Sequence, residues 1–553
     1  MSGLAATKPA AEPDGPDGPD GPDGPGGPDA AEDVRWRRLD RRSLLVTVQM
    51  TGGVVTAIGV PITLSFQGWV AMGPVIAWAV GIGLFVIGSG VGIDALRLRH
   101  SRYRVGPERA ELRSGILFVK HRSLSRERIR SVDLVAHPLL RLLGLVEVRI
   151  GTGEQSAGQE ATLELRPVRR AEGERLRREL LSRAATGGAS DAEGTIASLD
   201  PRWIRYAPLS FVTSALAAAA GGAVMQVSEW FGVQEDVIEW VGDVFRGMSV
   251  TGMVLALIGI GLAAGSVGAL GLWIEMWWNY RLEREPGGTL RVRRGLLTTR
   301  SISLEEARLR GVDVVEPLGL RLSGAARVDA VATGLSHRDE EDQAGPSTLL
   351  PAAPRRLADE VAARVLREPV TPTAVPLAPH PRAARARRIR WAVSVALAPA
   401  LVLLLLGALL DVAVLTYLGV GTAVVLLPVA VALARDAYRS LGHALDADYL
   451  VVRSGTLRRS TVALRRGGVI GWTVKQSVLQ RRAGLVTLSA TTAAGAQAYA
   501  AYDVGEAEGL AFAEQAVPGL VGPFLVRGPS PEGARGTARP ATTGPHSSRH
   551  TSG

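Results

Sequence analysis

The sequence predicts a membrane protein in which pairs of apolar helices alternate with α+β modules. Three observations predict it. Apolar segments occur in pairs, a fixed spacing of glycine and leucine recurs after each pair, and arginines cluster at the pair ends. A chain of 553 residues exceeds one ordinary core, and 46% hydrophobic residues with 5% aromatics and a mean hydropathy of +0.15 fit a chain partly solvated by lipid.

From Ser43 to Ile93 no residue carries a charge. That run is too long for one crossing and suits two helices of roughly 20 residues, with a turn near Phe66-Gln67-Gly68-Trp69. A second pair is expected at 206–226 and 248–274, and a third at 391–410 and 412–434, split by Asp411. The basic start RWRRLDRR precedes an apolar run far longer than the roughly 7–15 residues of a secretory signal, so no cleavage is expected. Gly88 and Gly92, like Gly261 and Gly265, are spaced to let helix backbones approach closely.

Arginine placement gives an orientation. RWRRLDRR and RLRHSRYR flank the first pair, RWIRY and RLER the second, and RAARARRIR and RDAYR the third, and positive flanks face the cytoplasm. The connection inside the second pair carries Glu229, Glu235, Asp236, Glu239 and Asp243, with no basic residue before Arg246. It is expected outside, and both termini inside. Val237, Ile238, Val241, Val244 and Phe245 share one side of that segment's helical wheel, which suits a helix lying in the interface or a capped loop resting on neighbouring helices.

The segments that follow the pairs are copies of one another. Aligned on Gly115, Gly295 and Gly455, each has a leucine nine residues on (Leu124, Leu304, Leu464) and an aliphatic residue fourteen on (Ile129, Leu309, Val469). Each has a second glycine twenty-nine on (Gly144, Gly324, Gly484). Such self-similarity indicates one module in three copies. Within a copy the pattern is β: short runs bounded by turn signals such as Gly106-Pro107, further strands at 145–151 and 161–168, then a helix such as RRAEGERLRRELL. That helix is expected to cover an open barrel end or a sheet face.

The units x-R-x-G-hydrophobic, S-L, R-I/L-R-x-V-D, P-L and G-L-x-x-V, each after a membrane pair, resemble the bacterial pleckstrin-homology-like (type 2) multi-pass membrane family with tandem modules. The resemblance spans 35–518. It is carried by Leu124, Ile129, Val132, Asp133, Pro138 and Gly144, and again by Leu304, Leu309, Val312, Asp313, Pro317 and Gly324. The third copy departs, with Trp472 and Thr473 where the others have Val and Asp. The resemblance implies PH-like β-barrels, each with a C-terminal helix, on a bacterial cell membrane, and brings no catalytic residue.

The expected organisation is an acidic tail (1–34), membrane pair 1 (35–96), module 1 (97–190), pair 2 (202–280), module 2 (281–370), a linker (371–383), pair 3 (384–436), module 3 (437–518) and a second tail (519–553). A further linker is expected near 185–200. The tails are rich in Pro and Gly, and PDGPDGPDGPDG is too short a repeat for collagen.

Function is read from charge and from missing chemistry. The net charge is +10, carried almost wholly by arginine because only Lys8, Lys120 and Lys475 are lysines. Genome-wide codon bias is one source of that arginine; phosphate recognition is another. Arg97, Arg99, Arg102 and Arg104 follow the first pair, and Arg126, Arg128 and Arg130 lie within the module, so these are the candidates for anionic lipid headgroups. The alternative is that the first group fixes topology and the second covers a strand face. With no cysteine, thiolate metal sites and cysteine nucleophiles are excluded. No histidine cluster, phosphate loop or nucleophile elbow appears, and Asp133 and Asp313 lack a partner base, so a hydrogen bond to a turn is their expected role. The expectation is a non-enzymatic membrane scaffold, without cofactor, metal or nucleic acid, that binds membrane lipids or a protein partner. The alternative is a transporter or exporter component regulated by its cytoplasmic barrels, although Asp94, Glu275 and Asp411 all fall near helix ends.

Overall fold

The computed structural model describes residues 36–524, apart from 66–70, 116–118, 152–161, 182–193 and 334–344 and positions 39, 41, 107, 127, 128 and 130. The expected turn at 66–69 and most of both tails lie outside the described residues.

In chain order, β1 (Arg37–Arg38) leads into the membrane helices α1 (Ser43–Ser65) and α2 (Met72–His100). The first module holds β2 (Arg102–Val105), β3 (Arg109–Ser114), β4 (Lys120–Ser125), β5 (Ser131–Ala136), α3 (Pro138–Leu142), β6 (Leu145–Gly151), β7 (Thr162–Arg169) and α4 (Arg170–Leu181). After β8 (Gly194–Ser198) come α5 (Phe211–Trp230), the short connecting helix α6 (Gln234–Val244) and α7 (Val250–Trp277). Module 2 repeats the order with β9 (Arg281–Glu285), β10 (Thr289–Arg294), β11 (Thr299–Glu305), β12 (Leu309–Pro317), α8 (Leu318–Leu322), β13 (Ala325–Ala332), β14 (Thr348–Pro354) and α9 (Arg355–Leu366). The third pair is α10 (Arg382–Leu409) and α11 (Ala413–Arg439). Module 3 holds β15 (Gly442–Asp446), β16 (Tyr449–Ser454), β17 (Arg458–Arg465), β18 (Val469–Lys475), α12 (Val478–Arg482), β19 (Leu485–Thr492), β20 (Ala498–Gly505) and α13 (Glu506–Ala516).

Six helices among the described residues are long and apolar enough to cross a membrane, and they pack as α1 with α2, α5 with α7 and α10 with α11. Several run past the apolar segment into arginine-rich sequence, as α10 does at Arg382, because long basic side chains can reach water from the helix surface. Close approach in the second pair is where its spacing predicts it: a Cβ on Gly265 would strike the Thr213 carbonyl and the Ala217 backbone. In the first pair the expected contact is not made. Gly88 and Gly92 have no neighbour within 4 Å, and Gly83, 3.0 Å from Val55 when a Cβ is added, takes their place. The Gly88/Gly92 spacing did not say which face of α2 turns to α1.

Each module is a set of antiparallel strands with a helix packed on the last three, but among the described residues no sheet closes into a barrel. The edge strand that would have to close it pairs elsewhere. β5 of module 1 pairs with β11 of module 2, giving a seven-stranded sheet in the order β7-β6-β5-β11-β10-β9-β8. β12 of module 2 likewise pairs with β17 of module 3, giving β14-β13-β12-β17-β16-β15. Both seams have one register: Ser131 faces Leu304, and Gly311 faces Leu464, which are equivalent positions of the repeat. Backbones approach closely there, since a Cβ on Gly311 would run into the Ala463 carbonyl. The halves left over, β1-β2-β3-β4 and β18-β19-β20, keep β4 and β18 as free edges.

The repeat positions build the core. Ile129, Leu309 and Val469 are buried, as are Leu304 and Leu464, whereas Leu124, beside a free edge, is only half-buried. Strands β16 and β17 are buried on both faces, with Val451 and Ala463 in the core of module 2 and Leu450, Val452 and Leu464 in that of module 3. Gly144, Gly324 and Gly484 have φ of 69°, 71° and 62°, the left-handed turn between short helix and strand that explains their recurrence. Of the two segments read as linkers, 185–193 lies outside the described residues, and the described parts are built into the modules. Gly194–Ser198 is a strand paired with β9, and Thr371, Thr373 and His380 are buried, with Ala378 bridged to His443.

Candidate functional site

The seams gather charged side chains that are distant in sequence. Glu174 and Arg177 on α4 of module 1 reach across to Glu285, Arg291 and Ser303 of module 2. Arg177 Nη1 donates to Glu285 Oε2 at 2.7 Å, and Arg291 bridges Glu285 at 2.9 Å and Glu174 at 2.7 Å. Burial pushes both carboxyls up, but the hydrogen bonds and charges of Arg177 and Arg291 more than offset it and hold Glu174 and Glu285 below the usual range. At the second seam Glu316 accepts from Arg459 at 2.7 and 2.9 Å and pairs with Arg355 at 2.8 Å. Alternating polar residues on strands gave no sign of this in the sequence, because the partners belong to different repeats.

The repeated aspartates also lie at the seams. Asp313 Oδ1 accepts from Ser460 Oγ of module 3 at 2.6 Å, a bond that crosses a module boundary. Asp133 faces Ile302 across the first seam, and its burial pushes the carboxyl up to about 7 despite Arg149, Arg294 and Arg300 nearby. Thr473 occupies the equivalent position on the free edge β18. The third copy thus departs from the aspartate pattern on a strand that, among the described residues, pairs with no other module.

The seven arginine candidates separate into groups. Arg97 and Arg99 are exposed at the end of α2, Arg97 lying 3.6 Å from Asp94. Arg102 is exposed on β2, directly opposite Arg113 of β3, which faces His121 of β4. Arg102 and Arg113, directly opposite, repel one another and favour an anionic neighbour, and His121 Nε2 lies 3.8 Å from Glu111 Oε2. Arg104 bonds Glu111 at 2.7 Å and stacks on Trp36 at 5.1 Å. Arg126 donates to the carbonyls of Gly106 and Glu179, tying the strand corner to α4. Arg128 and Arg130 lie outside the described residues. Arg113 and His121 were missed because only strand pairing places them beside Arg102.

In module 3, His380 and His443 are buried with rings 5.1 Å apart, and His443 packs on Phe512 at 4.6 Å. Neither His380 ring nitrogen has a hydrogen-bond partner among the described residues. Burial, with His443 and Arg388 nearby, pushes His380 down to about 4.

Paired membrane helices alternating with repeated strand-and-helix modules define a multi-pass membrane protein with bacterial PH-like domains. Residues 45–184 and 393–514 match the family described as Bacterial PH domain, each match taking in membrane helices and the module that follows. The chain is also similar to the UPF0699 transmembrane protein YdbT of Bacillus subtilis (strain 168), 21% identical over 296 residues. That alignment covers 51% of this chain and 57% of the relative, so the chain spans little more than half of the relative's length. No solved structure matches.

Proposed function

We propose that this protein is a non-enzymatic membrane scaffold whose three PH-like modules present a fixed surface to a protein partner or to anionic headgroups on the cytoplasmic side. The observation that carries this reading is the pair of strand seams in one register, which hold the modules as one array. Modules fixed side by side offer several weak contacts at once, so a multivalent partner binds with high effective concentration. Arg102 lies two residues past α2 with Arg113 directly opposite, and each arginine near the surface contributes about 1 kcal/mol towards an anionic leaflet. Orientation rests on the arginine flanks and the acidic connection around α6.

The experiment is crosslinking of the full chain in cells, with a photoreactive residue at exposed Arg113, followed by purification in detergent. A reproducible protein or anionic-lipid adduct supports the scaffold. A chain recovered alone under all conditions, with full cellular activity, overturns it.

A further inference from the structure

Four large leucines stand exposed at repeated positions. Leu142 on α3 and Leu322 on α8 are 84% and 80% exposed, and both lie twenty-seven residues after the first glycine of their repeat. Leu297 and Leu457, at the tips of the β10–β11 and β16–β17 hairpins, are 57% and 61% exposed, and both lie two residues after that glycine. Leucine recurring at the same solvent-exposed positions of a repeated module needs an apolar neighbour.

Leu297, Leu322 and Leu457 are tied to the ends of membrane helices, and the helix carrying Leu142 packs against α1. Glu275, in the last turn of α7, accepts from the backbone N–H groups of Leu297 and Thr298 at 2.9 and 2.8 Å, and its own carbonyl accepts from Leu296. The second hairpin tip is held by Arg321, which donates to the Thr456 carbonyl and also to Asp436 in the last turns of α11 at 2.8 Å. The short helices sit at the same level. A Cβ on Gly319 of α8 would strike the Leu209 carbonyl, two residues before α5 begins, and α3 lies against α1. α3 and α8 also grip the tip of the next module, through Arg141 to the Leu296 carbonyl and Leu318 to the Leu457 carbonyl.

We propose that Leu142, Leu297, Leu322 and Leu457 insert into the bilayer interface, so that each module rests on lipid through its hairpin tip and short helix. The occupant is the lipid surface of the protein's own membrane, since the leucines border the lipid-facing helices at the point where those leave the bilayer. Leu117, outside the described residues, stands at the same repeat offset as Leu297. The inference is independent of partner recruitment: a scaffold that binds no headgroup specifically still seats its modules this way.

The chain has no cysteine, which allows single nitroxide labels without background. The full protein, carrying Leu142→Cys, Leu297→Cys, Leu322→Cys or Leu457→Cys and labelled in nanodiscs of phosphatidylethanolamine and phosphatidylglycerol, is measured by power-saturation electron paramagnetic resonance. Arg356→Cys, on the exposed side of α9, is the aqueous control. Interfacial insertion to roughly 5–10 Å gives a several-fold higher ratio of oxygen to nickel-chelate accessibility at the four leucine positions than at the control. Control-like ratios at all four positions overturn the proposal. So does shielding from both reagents, which would mean that protein covers the leucines.

Discussion

Arg177 of the first module and Glu285 of the second meet at 2.7 Å across a strand seam, although 108 residues separate them. Arg177 is 5% exposed, and its guanidinium also bonds Glu174 and Ser303, so its charge depends on partners from both modules.

Arg177→Met should therefore destabilise the joint between modules 1 and 2. Removing one partner leaves Glu285 with Arg291 alone, and a cost of about 2–3 kcal/mol is expected for a hydrogen-bonded charge that still touches water. Thermal melting in detergent checks it, and a cycle with Glu285→Gln should show clear coupling.

The same network sets an acid limit. Glu174, Glu285 and Glu316 have folded values held below the ordinary 4.5, so the stability they contribute is present above about pH 4.5 and is lost as pH falls through the lowered values. His380 acts earlier. Its folded value of about 4 lies below the ordinary 6.5, so between those values the unfolded chain binds the extra proton and acidification destabilises module 3. Melting curves at stepped pH should fall by about 1.4 kcal/mol per unit across the window, and His380→Phe should flatten that slope.

Lys120 lies on the free edge β4 and Lys475 on the free edge β18, and these are the only lysines in the modules. Basic residues on open edges oppose strand addition, and in the register of the two seams Lys475 of one copy would face Lys120 of another. Lys120→Thr with Lys475→Thr should thus promote head-to-tail association. Light scattering after size exclusion checks it; an unchanged mass would remove the protective role.

Topology can be read with an impermeant thiol reagent in whole cells. A cysteine at Gln234 should react, and one at exposed Ser123 or Ser323 should not. Ser303 is unsuitable, because it is buried beneath Arg177 and would stay unlabelled on either side.

Ile129→Ala should cost about 2–5 kcal/mol by melting, since that side chain is fully buried. Leu124→Ala should cost less, because its strand borders solvent where its counterparts Leu304 and Leu464 are covered by a seam. Equal losses at the two positions would contradict the open edge of β4.

Six apolar helices, three modules, and the strands and closing helix of each were legible in the sequence, whereas the short helices α3, α8 and α12 were not. Charge-free runs longer than a bilayer, period-two alternation and a glycine that only a left-handed turn requires are local properties, and local properties survive in a single chain without its neighbours. The basic flank after α2 was legible for the same reason. What tertiary structure alone decided is where each edge strand finds its partner. A strand edge is a row of N–H and C=O groups common to every residue type, so nothing in the side chains of β5 or β12 announced that they would pair with the following module instead of closing their own barrel. That choice buried Arg177 and Asp313 at module boundaries and left Lys120 and Lys475 on open edges, while the hairpin register within module 1 gathered Arg102, Arg113 and His121 into one row.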